Sequence, residues 1–271
     1  MRIGMRACAV AAMLAGLAAC GSLAPPPPTQ GAAVPMSPAP VAAPRFGDAR
    51  PVLWRGPGPA AHPVHGIDIS RYQTAIHWPT ARDAGVSFAF IKATEGADRL
   101  DPAFARHWAE ARAAGIPRGA YHFYYFCRSA EDQARWFITH VPKERGALAP
   151  VVDLEWNPHS PTCTWRPDPA HVRAEVLRFL DLLEAHYGQR PLIYTEPGFW
   201  QDNGLEQLRG EELWLRSVAA HPEEVYGRRG WTFWQYSGTG LVPGVQGQVD
   251  LNAFGGTIAQ WRRWLAARSL R

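Results

Sequence analysis

The segment Pro150-Val151-Val152-Asp153-Leu154-Glu155 shows the pattern on which the fold prediction rests. A short apolar run that begins after a proline and contains β-branched residues is typical of a strand buried on both faces. We therefore predict a strand at 150–154. Its C-terminal end carries two acidic residues, Asp153 and Glu155, which an apolar strand would not place there for packing alone.

Seven further apolar runs of similar length follow the same pattern, and helix-like patterns separate several of them. Gly85, Gly115 and Gly188 each stand where a helix would end in a left-handed cap. The alternation predicts an α/β fold, a single domain built as an irregular, mostly parallel (β/α) barrel of about eight strands. The predicted strands are 64–69, 88–93, 119–123, 150–154, 192–195, 213–217, 232–236 and 248–251, and the predicted helices are 102–114, 130–140, 169–187 and 258–267.

Residues 1–20 have the layout of a lipoprotein-type signal peptide, with two arginines ahead of an apolar run at 7–19 that is too short to span a membrane. Its end, Leu17-Ala18-Ala19-Cys20-Gly21, resembles a bacterial lipobox, in which the cysteine becomes the lipidated first residue. The resemblance implies lipidation at Cys20 and a place in the cell envelope, as an outer-membrane lipoprotein facing the periplasm of a Gram-negative host. The alternative is an ordinary signal peptide with a chance cysteine.

The segment at 21–63 is rich in proline, alanine and glycine and shows neither helical nor strand periodicity. We predict a disordered tether there, followed by a catalytic domain at 64–271. The formal net charge is only +4, and no run of Lys or Arg is dense enough for a nucleic-acid surface. We expect a monomer with no nucleic-acid partner, whose 12 Trp and 8 Tyr suit sugar rings as well as a core.

Two of the four cysteines remain once Cys8 is removed with the signal peptide and Cys20 is lipidated. Because disulfides persist outside the cytoplasm, we expect Cys127 and Cys163 to pair. Two free buried thiols are the alternative. The chain has no Cys-x-x-Cys or Cys/His ligand spacing, so we expect no metal site.

Asp153 and Glu155 lie two positions apart on a predicted strand, so their side chains point to the same side. Two carboxyl groups at such a short distance resist joint ionisation, and the one that keeps its proton can serve as a general acid. Asp68 and Asp250 stand at the C-terminal ends of the first and last predicted strands, and closure of the barrel would bring all four acids to one rim. The alternative is that the acids are simply solvated or paired with cations.

Six segments carry a resemblance to a known family: Gly66-Ile67-Asp68-Ile69-Ser70, Phe90-Ile91-Lys92-Ala93-Thr94-Glu95-Gly96, Gly119-Ala120-Tyr121-His122-Phe123, Asp153-Leu154-Glu155, Trp234-Gln235-Tyr236 and Val249-Asp250-Leu251-Asn252. Together they resemble the glycoside hydrolase family 25 lysozymes, also called muramidases, and they occur in the order typical of that family. One late strand departs from the pattern, because it reads Trp214-Leu215-Arg216 where the family has a Trp-Ile-Ala-like segment.

The resemblance implies hydrolysis of the β-1,4 bond between N-acetylmuramic acid and N-acetylglucosamine in peptidoglycan, without a metal or organic cofactor. Glu155 would be the general acid and then base, and Asp153 would support attack by the 2-acetamido group of the substrate, giving retention. Asp68 and Asp250 would tune this pair. A catalytically silent peptidoglycan-binding lipoprotein and a chitinase-like N-acetylhexosaminidase are the alternatives. The expected substrate-binding residues are Tyr121, Tyr194, Trp234, Tyr236, Lys92 and Glu95.

Overall fold

The structure is a computed structural model and describes residues 40–271. The predicted signal peptide, Cys20 and the first part of the predicted tether lie outside this range. None of the helices within 40–271 is long and apolar enough to cross a bilayer. The strands are β1 (Gly47–Asp48), β2 (His65–Ile69), β3 (Val86–Glu95), β4 (Arg99–Leu100), β5 (Arg118–Phe123), β6 (Val151–Leu154), β7 (Leu192–Thr195), β8 (Leu213–Arg216), β9 (Phe233–Leu241) and β10 (Val249–Phe254). The α-helices are α1 (Trp78–Asp83), α2 (Phe104–Ala113), α3 (Ala130–His140), α4 (Pro169–Tyr187), α5 (Pro197–Asn203), α6 (Pro222–Tyr226) and α7 (Ile258–Arg268).

Eight of these strands close into a barrel, as the sequence predicts. Strands β2, β3, β5, β6, β7, β8 and β9 run parallel in that order around the sheet. Strand β10 is antiparallel to both of its neighbours, β9 and β2, and closes the ring. The two-residue strands β1 and β4 add to the edges of β9 and β3 and were not predicted.

Side chains that point into the barrel are apolar in its middle and charged at the carboxyl ends of the strands. The interior is filled by aromatic rings, with Phe90 stacked on Trp214 at a centroid distance of 4.5 Å and Phe88 against Phe233 at 4.9 Å. Two residues further along a strand, the same face reaches the carboxyl end, where charged side chains take over. This succession occurs at Phe90 and Lys92 in β3, Val151 and Asp153 in β6, and Trp214 and Arg216 in β8.

The longer helices begin and end where local signals in the sequence place them. Helices α3 and α4 have the predicted bounds; the Asp168 side chain accepts hydrogen bonds from the first-turn backbone of α4. Gly85, Gly115 and Gly188 all have positive φ, at 112°, 74° and 73°, which confirms the predicted turns after α1, α2 and α4. Only the end of α1, at Gly85, is predicted, and α5 and α6 are not predicted at all, because five to seven residues are too few to establish a helical period.

The end of the predicted tether is packed against the barrel rather than disordered. Strand β1 pairs with β9, and the backbone N–H of Arg45 donates to the carbonyl of Ala84 at 2.8 Å. Further along, the Trp54 ring meets Trp234 edge-on at 5.0 Å. Proline excludes helix from this segment but not extended pairing at a sheet edge, so composition misjudged it.

Candidate active site

A cleft of about 650 Å³ opens at the carboxyl ends of the parallel strands, and all four predicted acids reach it. Asp68 projects from β2, Asp153 from β6, Asp250 from β10, and Glu155 directly follows β6. Active sites of (β/α) barrels form at this rim because loops and strand ends from many elements converge there. Asp68 and Asp153 are each only 6% exposed, so these carboxyl groups are largely withdrawn from solvent.

Asp250 reaches the rim by a different route from the one predicted. It lies near the beginning of β10, not at the end of a parallel strand, and stands directly opposite Asp68 in the antiparallel register. Because β10 runs against β2, its beginning meets the carboxyl end of β2. The predicted convergence therefore occurs, but with the strand reversed.

Asp68 is held by two amide groups. Its Oδ2 accepts hydrogen bonds from Gln235 Nε2 at 2.9 Å and from Asn252 Nδ2 at 2.7 Å. Burial raises the pKa of Asp68 to about 6, although these hydrogen bonds and the nearby Arg216 act to lower it. The bonds fix the orientation of the carboxyl group and leave its other oxygen available to the cleft.

Asp153 is buried and Glu155 is half-buried in the cleft. Burial, and secondly the neighbouring Glu155, raise the pKa of Asp153. Burial raises the pKa of Glu155 to about 7, against a lowering effect of Arg216. The pKa is therefore raised in this pair, as predicted, but burial contributes more to the rise than the repulsion between the two carboxyl groups. The Oδ1 atom of Asp153 is buried and has no hydrogen-bond partner among residues 40–271, so it is a free site for a donor on a substrate.

Lys92 and Glu95, which were predicted to bind substrate, form an ion pair in the wall of the cleft. Lys92 Nζ lies 2.7 Å from Glu95 Oε2, and the Tyr125 hydroxyl donates to Glu95 Oε1. Burial acts to raise the pKa of Glu95, but these hydrogen bonds outweigh it and hold the pKa below its ordinary value. Asn157 in turn donates to the Tyr125 hydroxyl at 3.2 Å. This chain of contacts ties β3 to the loops after β5 and β6 and leaves Glu95 ionised and neutralised.

Two of the four aromatic residues predicted to bind sugar line the cleft, and two do not. Tyr121 and Tyr194 lie on its floor. Trp234 is fully buried on the other face of β9, where its Nε1 donates to the carbonyl of Ser217 at 2.7 Å. The Tyr236 hydroxyl lies 2.8 Å from His65 Nδ1, also away from the cleft. Because side chains alternate, Gln235 between them is the residue of β9 that enters the site, and the prediction for Trp234 and Tyr236 is wrong.

Other cleft residues were not predicted at all. Trp214 and Arg216 of β8 could have been found from the sequence, because they lie two residues apart on the inward face of their strand, as Val151 and Asp153 do on β6. Loop residues have no periodicity that could have revealed them. The unpredicted residues that line the cleft include Arg71, Tyr72, Arg99, Asp101, Tyr125, Trp156, Asn157, Trp214, Arg216 and Gln235.

A disulfide braces the loops on one side of the cleft. Cys127 and Cys163 are bonded with their Cα atoms 5.7 Å apart, which confirms the predicted pairing. The bond joins the segment after β5 to the loop after Glu155. In that loop Arg166 lies over the Trp156 ring at 4.8 Å, and the Trp156 Nε1 donates to Asp202 Oδ2 at 2.7 Å. The loop that carries Trp156 beside the acids is thus fixed at several points.

Known proteins share this architecture and sequence. The family described as glycosyl hydrolases family 25 matches residues 67–245. Lysozyme M1 of Streptomyces globisporus is 36% identical over 208 residues, 73% of this chain and 69% of that protein. The N,O-diacetylmuramidase of a Chalaropsis species is 32% identical over 205 residues, 69% of this chain and 96% of that protein. The structure of a family 25 glycosyl hydrolase from Bacillus anthracis matches with a TM-score of 0.69 and 32% identity, covering 75% of this chain and 94% of that one. The chain therefore belongs to glycosyl hydrolase family 25.

Proposed function

We propose that this protein is a muramidase, which hydrolyses the β-1,4 bond between N-acetylmuramic acid and N-acetylglucosamine in peptidoglycan. The observation that carries the proposal is that Asp153 and Glu155 share one cleft in which burial raises the pKa of both, so that their joint ionisation is opposed. Glu155 has a pKa raised by burial to about 7, which suits a proton donor near neutral pH. Asp153 offers a buried oxygen with no partner among the described residues. The names of the lysozyme and diacetylmuramidase relatives support the same activity.

The first step breaks the glycosidic bond. The protonated carboxyl of Glu155 gives its proton to the oxygen of the leaving sugar as the bond from that oxygen to the anomeric carbon breaks. The carbonyl oxygen of the substrate's own 2-acetamido group bonds to the anomeric carbon from the opposite face. The acetamido N–H donates to Asp153 Oδ1. Asp153 and Glu155 share one proton, and while Glu155 holds it the Asp153 carboxylate stabilises the positive charge that develops on the acetamido group. No sugar becomes bonded to the enzyme.

The second step returns the groups to their starting state. Glu155, now ionised, takes a proton from a water molecule, whose oxygen attacks the anomeric carbon and opens the acetamido ring. Two inversions give net retention. Asp68 and Asp250 face the same cleft from adjacent strands, and the charge of Asp68 helps to keep Glu155 protonated. The chitinase-like and the silent-binder alternatives have no observation in their favour that the muramidase lacks.

The direct test of the function is digestion of purified peptidoglycan, with mass spectrometry of the soluble fragments. We expect fragments with N-acetylmuramic acid at the reducing end, because the bond on that side of the muramic acid is cut. Reducing-end N-acetylglucosamine would contradict the proposed bond. Release of fragments from chitin but not from peptidoglycan would favour the chitinase-like alternative, and binding without release would favour the silent one.

We further propose that the protein is an outer-membrane lipoprotein, anchored through Cys20. Because the chain packs on the barrel from about Val41 onward, only about 20 residues would separate the lipid from the domain. A chain of that length spans at most about 70 Å when extended, so the cleft would work close to the membrane.

Cys20→Ser is expected to release the protein from the membrane fraction, because it removes the residue that would carry the lipid. The measurement is partitioning after carbonate washing without detergent, together with labelling by an alkyne fatty acid. Cys8→Ser is the matched control, since it changes a cysteine inside the predicted signal peptide and should leave both readouts as in the wild type. Retention of the Cys20→Ser protein in washed membranes would contradict lipid anchoring.

A further inference from the structure

Arg216 occupies a rigid position at the rim of the barrel. It is the last residue of β8, pairs with Gln235 of β9, and its carbonyl accepts a hydrogen bond from the Tyr226 hydroxyl at 2.6 Å. Leu215 before it is fully buried against the helices, so alternation turns the Arg216 side chain into the cleft, which it lines together with the acids. The backbone is therefore held, and Arg216 as a whole is half-buried at the cleft.

Arg216 also differs from the other cations of the cleft in lacking a partner. Lys92 is bonded to Glu95, Arg99 lies 3.9 Å from Glu95, and Arg71 donates to the Tyr72 hydroxyl. Within residues 40–271, the Arg216 side chain makes no hydrogen bond and no carboxylate oxygen lies within 4.0 Å of it. It nevertheless acts on the charges of Asp68, Glu155 and Asp250, so it lies among them without being paired to any one.

A guanidinium group with its donors free is suited to one kind of ligand. Its planar array of N–H groups matches a carboxylate, which it can bind through two parallel hydrogen bonds. N-acetylmuramic acid differs from N-acetylglucosamine by a 3-O-lactyl group. That group carries a free carboxylate when the glycan has no stem peptide, and otherwise leads to the carboxylates of the peptide.

We propose that Arg216 forms a carboxylate-binding subsite that recognises the acidic substituent of the muramoyl residue and so selects peptidoglycan over neutral glycans. This inference rests on the proposed muramidase function and names the part of the substrate that the cleft reads. The unpaired guanidinium, its fixed backbone and its place beside the acids carry it. The free lactyl carboxylate and a stem-peptide carboxylate share the required chemistry, and the experiment separates them.

The test compares kcat/KM for three forms of one glycan. The first is intact peptidoglycan. The second consists of strands freed of stem peptides by an amidase, which carry the lactyl carboxylate. The third consists of the same strands after that carboxylate is converted to a methylamide with carbodiimide and methylamine. The third form differs from the second in charge and almost nothing else.

We expect the wild type to cleave the carboxylate strands roughly 10- to 100-fold better than the methylamide strands, as is typical of a charge-assisted contact. Arg216→Gln should remove this preference, so that the variant cleaves the carboxylate strands and the methylamide strands with similar kcat/KM. Arg216→Lys, which keeps the charge but not the paired donors, should fall between. Arg99→Gln is the matched control: it removes another cleft arginine, one that faces Glu95, and should keep the preference.

The outcomes separate the possible roles of Arg216. If Arg216→Gln lowers kcat/KM on intact peptidoglycan but not on the peptide-free strands, the result would support the subsite and identify its ligand as a stem-peptide carboxylate. An equal loss on all three substrates, with a shifted pH profile, would overturn the subsite and make Arg216 a residue that only tunes the acids. Failure of the wild type on all three would instead overturn the proposed function, and the subsite with it.

Discussion

Glu155→Gln is expected to lower turnover on purified peptidoglycan by about 10²- to 10⁴-fold, the range typical of lost general acid catalysis. The amide keeps the size and hydrogen-bonding capacity of the side chain but has no proton to transfer to the leaving oxygen. Binding of glycan should survive, because the proton transfer contributes only in the transition state. The measurement is kcat and glycan affinity for the variant, with circular dichroism to establish that it is folded.

The pH profile of the wild type should report the same group. Burial raises the pKa of Glu155 to about 7, so the acid is protonated below that pH and loses its proton above it. We therefore expect kcat/KM to fall as the pH rises through about 7. The apparent value belongs to the cluster of acids, because Asp68, Asp153 and Asp250 titrate together with Glu155.

Glu95→Gln is the matched control for this prediction. Glu95 lines the same cleft, but its pKa is held low by Lys92 and Tyr125, so it has no proton to give near neutral pH. Its variant should keep the fall in activity near pH 7, even where the loss of the ion pair lowers the rate. Near-normal cleavage by a folded Glu155→Gln protein would overturn the assignment of Glu155 as the proton donor.

The fold could be predicted from the sequence wherever a short element has a strong local signal. Each barrel strand is an apolar run bounded by turns, and each predicted strand overlaps an observed one. Helices α3 and α4 begin at polar capping residues and are long enough to show a helical repeat, and their predicted bounds are those observed. The direction of β10 has no such signal, because the hydrogen-bonding pattern of a strand depends on its neighbours and not on its own residues.

The lead-in segment shows how composition can mislead. Its prolines indicate an unstructured tether, but Phe46 packs against the core and Trp54 covers Trp234. A few aromatic residues in a segment that lies along the barrel bury enough surface to hold it there. The same contact explains the error at Trp234, whose ring meets the lead-in segment on the outside of the barrel and so cannot face the cleft.

The acids of the candidate site could be predicted because their spacing has a geometric meaning. Asp153 and the strand position two residues before it fix which face of β6 enters the barrel, and the same rule applies to Asp68 on β2. Trp156 and Tyr125 reach the cleft from loops, whose course depends on contacts such as the disulfide and the bond to Asp202. Those contacts join distant parts of the chain, and no local pattern announces them.

Asp153→Asn is expected to lower kcat by about 10²- to 10³-fold with little change in glycan affinity, which is the loss typical of removing one electrostatic contact to a developing charge. The Oδ1 atom of Asp153 is buried and without a partner among the described residues, and in the proposed mechanism it accepts from the acetamido N–H. An amide oxygen there can still accept, but it carries no charge to stabilise the ring that forms. The effect should therefore appear in turnover rather than in binding.

Asp250→Asn and Asp68→Asn are the comparison variants, since both remove a cleft carboxylate without touching the strand that carries the pair. We expect milder losses from them.

A folding control follows from the pKa of Asp153, which burial raises. A raised pKa in the folded state means that the wild type loses stability as the pH rises above the unfolded value, and asparagine avoids this loss. Asp153→Asn should thus melt at the same temperature as the wild type or higher at pH 8. Weakened binding with unchanged turnover at saturation would instead make Asp153 a residue that holds substrate and takes no part in the chemical step.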